Sequence, residues 1–261
     1  MKGNWQDFSI PNKDMFGKTV ILPYAEGANE HQVLYLSIPK NQKNMPLMLF
    51  FHGGGMTADV RECPNALYEG KYAVAEAKYR LATEAMAPAQ AEDAAMAIAW
   101  CFEHAEEYGI DKDRIFVGGM SAGAYLAAIA VMNPRFLAPY GLSFKQIAGL
   151  ILVSGQMTTH FRFKADMGDE RGPYEPDFGD YAPMSHLSKD LPPMLLLSGE
   201  PGLDIPARPE ENAFVAATLK AIGHPFVRYY MLQGHGHVMV LDGCNELVKQ
   251  FISDVLAKNV E

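Results

Sequence analysis

The sequence predicts an α/β fold: a mostly parallel central sheet with helices on both faces. Two features of the pattern carry this. Short apolar runs that read as strands recur along the chain, and segments with helical periodicity separate most of them. A third observation concerns size: 261 residues, 49% of them apolar and 20% charged, suffice to bury a large core in one domain spanning 1–261.

The elements follow in order. "TVILP" (19–23) and "QVLYLSIP" (32–39) flank the polar "YAEGANEH", which predicts an antiparallel hairpin. After it, "PLMLFFH" (46–52), "YAVAEAKY" (72–79), "RIFVGG" (114–119), "IAGLILVS" (147–154), "PPMLLLSG" (192–199) and "FVRYYML" (226–232) read as short buried strands. In the segment 88–108, Ala91, Ala94, Ala95, Ile98 and Phe102 share one face of a predicted helix, with Glu103, Glu106 and Glu107 mostly elsewhere. Phe214, Val215, Thr218, Leu219 and Ile222 make a second such stripe, and Leu247, Val248, Phe251, Ile252, Val255 and Leu256 a third. All three are read as packing faces. Residues 155–193 break the rhythm, being rich in Gly, Pro, Asp and aromatics, and read as a cap-like insertion that shapes a site.

The net charge of -9, without a long basic run, disfavours nucleic acid as a partner. No apolar run is long enough to span a bilayer, and the N-terminal stretch lacks the apolar core of a signal peptide. The expectation is a soluble cytoplasmic protein with no membrane partner, although a processed precursor would read the same way. Oligomeric state is left open, a homo-oligomer included. Cys63, Cys101 and Cys244 are odd in number and in no CxxC pair, so they read as reduced, partly buried thiols.

Three segments carry chemistry. "GMSAG", Gly119 to Gly123, lies where a strand gives way to a helix. A serine on so sharp a turn needs glycine two residues to either side, because a side chain there would strike neighbouring backbone. "FFHGGGM" (50–56) places three glycines after a strand, where their N–H groups can turn towards a bound oxyanion without side chains intruding. Gly53 and Gly54 are the expected donors, joined by Ala122 behind the serine, with His52 bracing the loop. "LQGHGHVMV" (232–240) supplies a base beyond the last core strand. His237 is preferred for its position on the loop before the final helix, which leaves His235 at the pocket or surface. No metal site is expected of this pair, since no carboxylate or cysteine at ligand spacing completes one.

The acid should follow the strand "PMLLLSG". Asp204 is preferred over Glu200 because it sits farther into the loop, and Glu200 stays as the alternative. Ser121 is then the nucleophile, His237 the base and Asp204 the group that orients it. Met56, Met120 and His160 are expected to contact substrate.

With "FFHGGG" (50–55), "KYRLATEAMAPAQAEDAAMAIAW" (78–100), "YGIDKDRIFVGGMSAGAYLA" (108–127), "PPMLLLSGE" (192–200) and "QGHGH" (233–237) in place, the chain from about residue 30 resembles the α/β-hydrolase fold esterases. It is most similar to the hormone-sensitive-lipase-like group and to small acetyl xylan and feruloyl esterase-like proteins. The resemblance implies hydrolysis of short-chain acyl esters through an acyl-enzyme, without a cofactor, with an acetylated sugar among the fitting substrates. The sequence departs from these relatives at two points. Met120 stands where they often carry Asp or Gly, and Gly202 stands where the acid loop usually has Asp. An amidase or peptidase of the same fold and a noncatalytic binding protein are the competing readings.

Overall fold

The structure is a computed structural model that describes residues 2–3 and 10–258; the rest of the N-terminal stretch lies outside the described residues. Its strands are β1 (Lys2–Gly3), β2 (Phe16–Pro23), β3 (Val33–Pro39), β4 (Met45–Phe51), β5 (Arg61–Glu62), β6 (Ala73–Ala77), β7 (Ile110–Met120), β8 (Gly149–Val153), β9 (Met194–Gly199) and β10 (Val227–Leu232). The helices are α1 (Ala89–Glu103), α2 (Ala122–Met132), α3 (Pro134–Leu137), α4 (Phe161–Asp166), α5 (Arg208–Ala221), α6 (Val240–Gly243) and α7 (Asn245–Leu256).

Eight strands form one sheet in the order β10-β9-β8-β7-β4-β6-β3-β2. Neighbours pair in parallel from β10 to β6, whereas β3 runs antiparallel to both β6 and β2. The hairpin of β2 and β3 and the six later strands thus stand where the sequence predicts them. A fully apolar run such as Met45–Phe51 forms a central strand because both of its faces are covered.

Successive side chains in a strand point to opposite faces, and so the sheet feeds two cores. Leu47, Leu49, Ile115, Val117, Leu150 and Leu196 pack with residues of α1, α2 and α5. Met48, Phe50, Phe116, Ile151, Leu195 and Leu197 pack with Val248, Phe251 and Ile252 of α7 on the other face. Every residue of α2 is buried, and its alanines let the helix approach the sheet closely. The "YRL" and "EDA" segments meet at buried Asp93. Its carboxylate accepts from the Arg80 backbone N–H (2.8 Å), the Arg80 guanidinium (2.7 Å) and Gln32 (3.0 Å), tying α1 to the end of β6.

The stripe predicted for α5 needs correction. Val215 and Leu219 are fully buried, but Phe214 is 58% and Ile222 42% exposed. The packed face runs instead through Arg208, Asn212, Val215, Ala216 and Leu219, because buried polar groups at the start of the helix set its rotation. In the insertion, Phe163 and His160 are buried, whereas Tyr174 and Phe178 point outward, 62% and 61% exposed. Its longest helix is α4, of 6 residues. Among the described residues no helix is long and apolar enough to cross a membrane. All three cysteines are buried, and none of them is in a disulfide.

Candidate active site

The chemistry-bearing loops leave the C-terminal ends of β4, β7, β8, β9 and β10, the edge at which parallel α/β sheets gather their ligands. Ser121 is held at φ 54° and ψ -115° between β7 and α2. A non-glycine residue with positive φ stores about 1–3 kcal/mol of strain and persists only where its surroundings impose it. Here the Ser121 N–H donates to the Val153 carbonyl (2.8 Å), and the Ser121 carbonyl accepts from Tyr125 N–H (3.0 Å).

The flanking glycines show why the turn needs them. A Cβ at Gly119 would meet the Gly123 backbone, and one at Gly123 the Phe51 and His52 carbonyl oxygens, all closer than the 3.0 Å that real Cβ atoms respect. Backbone on both sides leaves no flexible side chain to yield. Gly123→Ala is therefore expected to destabilise by about 3 kcal/mol or more, read as a fall in urea midpoint. A midpoint within error of wild type would contradict the packing described.

Although Ser121 occupies the N-cap position of α2, its hydroxyl makes no cap bond. It lies 2.8 Å from His237 Nε2. His237 Nδ1 lies 2.6 Å from Asp204 Oδ1, so a proton on Nδ1 is donated to the carboxylate and Nε2 is left to accept from the serine. Asp204 also accepts from Gly199 N–H (2.7 Å) and Ile205 N–H (2.7 Å). Burial alone would raise its carboxyl, but the bonds from His237, Gly199 and Ser154 together hold it below the ordinary carboxylate value. Glu200 is engaged elsewhere, accepting from Gly234 N–H at 2.6 Å. His235 is half-buried with Nδ1 2.9 Å from the Gln233 carbonyl, apart from the Ser121–His237–Asp204 line.

Ser154 joins this line without a signal in the sequence. It is fully buried with φ 49°, and its hydroxyl donates to Asp204 (2.8 and 2.9 Å) while lying 2.9 Å from His237 Nδ1. Nothing in "ILVSGQ" marked it, since a serine closing a buried strand is ordinary.

The glycine loop differs in one donor from the expectation. Gly53 N–H donates to the carboxylate of Glu62 (3.2 Å), which enters from the two-residue β5. Buried Arg61 anchors that strand through its ion pair with Glu76, to which Tyr68 also donates. Gly54 and Gly55, both at positive φ, are the loop glycines whose N–H groups show no protein acceptor among the described residues. Met56, Met120 and His160, expected to contact substrate, are all buried at 1% exposure or less. Strand alternation sends Met120 to the α7 face, Met56 packs in the opposite core, and His160 lies under Phe161 and Tyr125.

His52 braces the loop. Its Nδ1–H donates to the Gly53 carbonyl (2.9 Å), its ring stacks on Tyr79 at 4.4 Å, and the Tyr79 hydroxyl donates to the His52 (2.9 Å) and Gly53 (3.0 Å) carbonyls. Burial lowers this imidazole to about 4. In the unfolded chain it titrates near about 6.5, so the unfolded state binds the extra proton first as the pH falls. The contribution to stability is complete above about 6.5 and is lost progressively towards about 4. Between pH 7 and pH 5 this group is expected to remove about 2 kcal/mol of unfolding free energy, a loss that His52→Gln should escape in urea titrations. An equal loss in both proteins would contradict the assignment.

Among the described residues, one group outside the site brings potential metal ligands together: Glu30, His31 and Glu84, with ligand atoms within 4.8 Å of one another. His31 already pairs with Glu84 (2.9 Å) and Asp59 (3.4 Å) there, which accounts for the cluster as an ion-pair network.

Comparisons with known proteins agree with this architecture. Residues 34–136 match the family model described as BD-FAE. The carboxylic ester hydrolase LipN of Mycobacterium tuberculosis is 41% identical over 101 residues, covering 36% of this chain and 27% of that protein. Esterase LipQ of the same organism is 26% identical over 274 residues, covering 94% of this chain and 63% of the relative. The chain thus spans less than two thirds of the length of either relative. Among solved structures, a bacterial heroin esterase superposes with a TM-score of 0.71 at 26% identity, covering 98% of this chain and 87% of that one. Sheet order, serine turn and these likenesses agree: the chain is an α/β-hydrolase-fold protein whose relatives and structural neighbours are esterases.

Proposed function

We propose that the chain is a serine carboxylesterase acting on small acyl esters. The observation that carries this is the unbroken line from Ser121 Oγ through both ring nitrogens of His237 to Asp204, at 2.8 and 2.6 Å. His237 takes the serine proton as Oγ attacks the ester carbonyl. The tetrahedral oxyanion is held by backbone N–H groups of Gly54, Gly55 and Ala122, each such donor being worth about 3 kcal/mol of barrier. His237 then passes its proton to the departing alcohol, and water repeats the attack on the acyl-enzyme. Asp204 stays ionised because its hydrogen bonds outweigh its burial, so it can fix the imidazole tautomer and stabilise the imidazolium.

The substrate reading is a short acyl group on a small or polar alcohol, an acetylated sugar among them. It is supported by an insertion whose longest helix has 6 residues, too short for an apolar lipid-binding lid. Part of the same reading is that 155–193 caps a single domain working in the cytoplasm. Across a p-nitrophenyl ester series, kcat/KM should peak at two to four acyl carbons. A peak beyond about eight carbons would overturn the short-acyl reading while leaving the esterase reading standing.

A further inference from the structure

Beside the proposed triad lies a cavity of about 260 Å³ lined by Gln156, Phe161, Tyr174, Ile205, Arg208 and Glu211, with further wall from residues 173 and 206–207. Three of its wall residues, Ile205, Gln156 and Phe161, tie it to the residues around the reaction centre, and the Ile205 N–H donates to Asp204 (2.7 Å). Ile205 directly follows Asp204, and Gln156 follows Ser154 by two residues. The tip of the Phe161 ring lies 3.7 Å from where a Cβ on Gly55 would stand, so the cavity wall borders the glycine loop.

At its base is a guanidinium that the fold leaves unfinished. Arg208 is 2% exposed, its Nη2 donates to Gln156 Oε1 at 3.2 Å, and its Nη1 has no hydrogen-bond partner among the described residues. Burial lowers this guanidinium to about 10, so it still carries its charge at neutral pH. Glu211, the acidic group on the same wall, is spent on the insertion: its carboxylate accepts from Met157 N–H (2.6 Å), Thr158 N–H (3.3 Å) and the Thr158 hydroxyl (2.9 Å). Asp204 is committed to His237 and Ser154. His160, whose charge Arg208 further disfavours, also has a buried Nε2 without a partner. A buried, charged donor left unpaired is costly, and proteins rarely keep one without something to fill it.

We infer that this cavity is a carboxylate subsite, and that the esters this protein prefers carry a free carboxylate which Arg208 Nη1 binds while the ester carbonyl lies at Ser121. The inference rests on the esterase reading and narrows its substrate class. Nη1 is covered, so a bound oxygen reaches it by displacing a side chain of the wall.

Two matched pairs of esters test it, because the carboxylate can lie on either side of the scissile bond. For the acyl side the pair is mono-4-nitrophenyl adipate against 4-nitrophenyl hexanoate; for the alcohol side it is 4-acetoxybenzoate against 4-acetoxybenzamide. In at least one pair, kcat/KM of the wild type should favour the anion by about 10- to 100-fold, the range a charged hydrogen bond supplies. Arg208→Met should abolish that ratio, chiefly through KM, and Arg208→Lys should keep part of it. Turnover of the neutral esters with no anion preference in either pair overturns the subsite and leaves the esterase reading intact. Preference that survives in Arg208→Met also overturns it. Failure to hydrolyse any of the four is failure of the esterase reading, and this inference falls with it.

Discussion

Alanine at Ser121 is expected to lower kcat/KM for p-nitrophenyl acetate by at least about 10⁴-fold, because removing Oγ closes the covalent route and leaves only the oxyanion donors. The fold should be indifferent to the change. Ser121 is held through its backbone, to Val153 and Tyr125, and its side chain caps nothing. An alanine takes up the same φ of 54° with no more strain than the serine. The thermal midpoint should therefore stay close to wild type while activity collapses. Activity within tenfold of wild type would place the nucleophile elsewhere.

Asp204→Asn is the second large effect, expected to lower kcat/KM by about 10³- to 10⁴-fold. The asparagine keeps the size of the carboxylate but presents an amide to His237 Nδ1. An amide N–H facing Nδ1 forces the imidazole into the tautomer with its proton on Nε2, which cannot accept from Ser121. The negative charge that stabilises the imidazolium is lost as well. Glu200→Gln is the matched comparison, since that carboxylate reaches only Gly234 N–H among the described residues. It should lose less than about tenfold, by loosening the loop that carries His235 and His237. Equal losses in the two variants would show that the acid had been assigned to the wrong residue.

The residues that the sequence revealed are those whose geometry is local. Glycines two residues to either side of Ser121 are a requirement of the turn itself, and the clashes that a Cβ would make with Gly123 and Phe51 are its physical content. The strands were legible for a similar reason: a sheet covered on both faces needs unbroken apolar runs, and Met45–Phe51 is one. Loop position alone favours Asp204, and it is the carboxylate that lies against His237.

What stayed hidden depends on contacts distant in sequence. Met120 adjoins the serine in the chain, but one step along a strand reverses the side chain, and it packs towards α7. Gly53 is an expected donor from its place in the loop, but Glu62 enters from β5, distant from it in the pattern, and takes its N–H. Ser154 meets Asp204 across 50 residues, and Arg208 meets Gln156 across 52, with no local pattern announcing either. The error in α5 has the same origin. Phe214 and Ile222 suit an apolar stripe, yet buried Arg208 and Asn212 fix which side of the helix faces inward.

The central claim, that Ser121 is the nucleophile of an acyl-enzyme, is tested most directly by treating the intact protein with a fluorophosphonate and locating the adduct by peptide mass spectrometry. One adduct per chain is expected, on the peptide containing Ser121, and none on Ser121→Ala. No adduct on a folded wild-type protein, or an adduct that persists in Ser121→Ala, would contradict it.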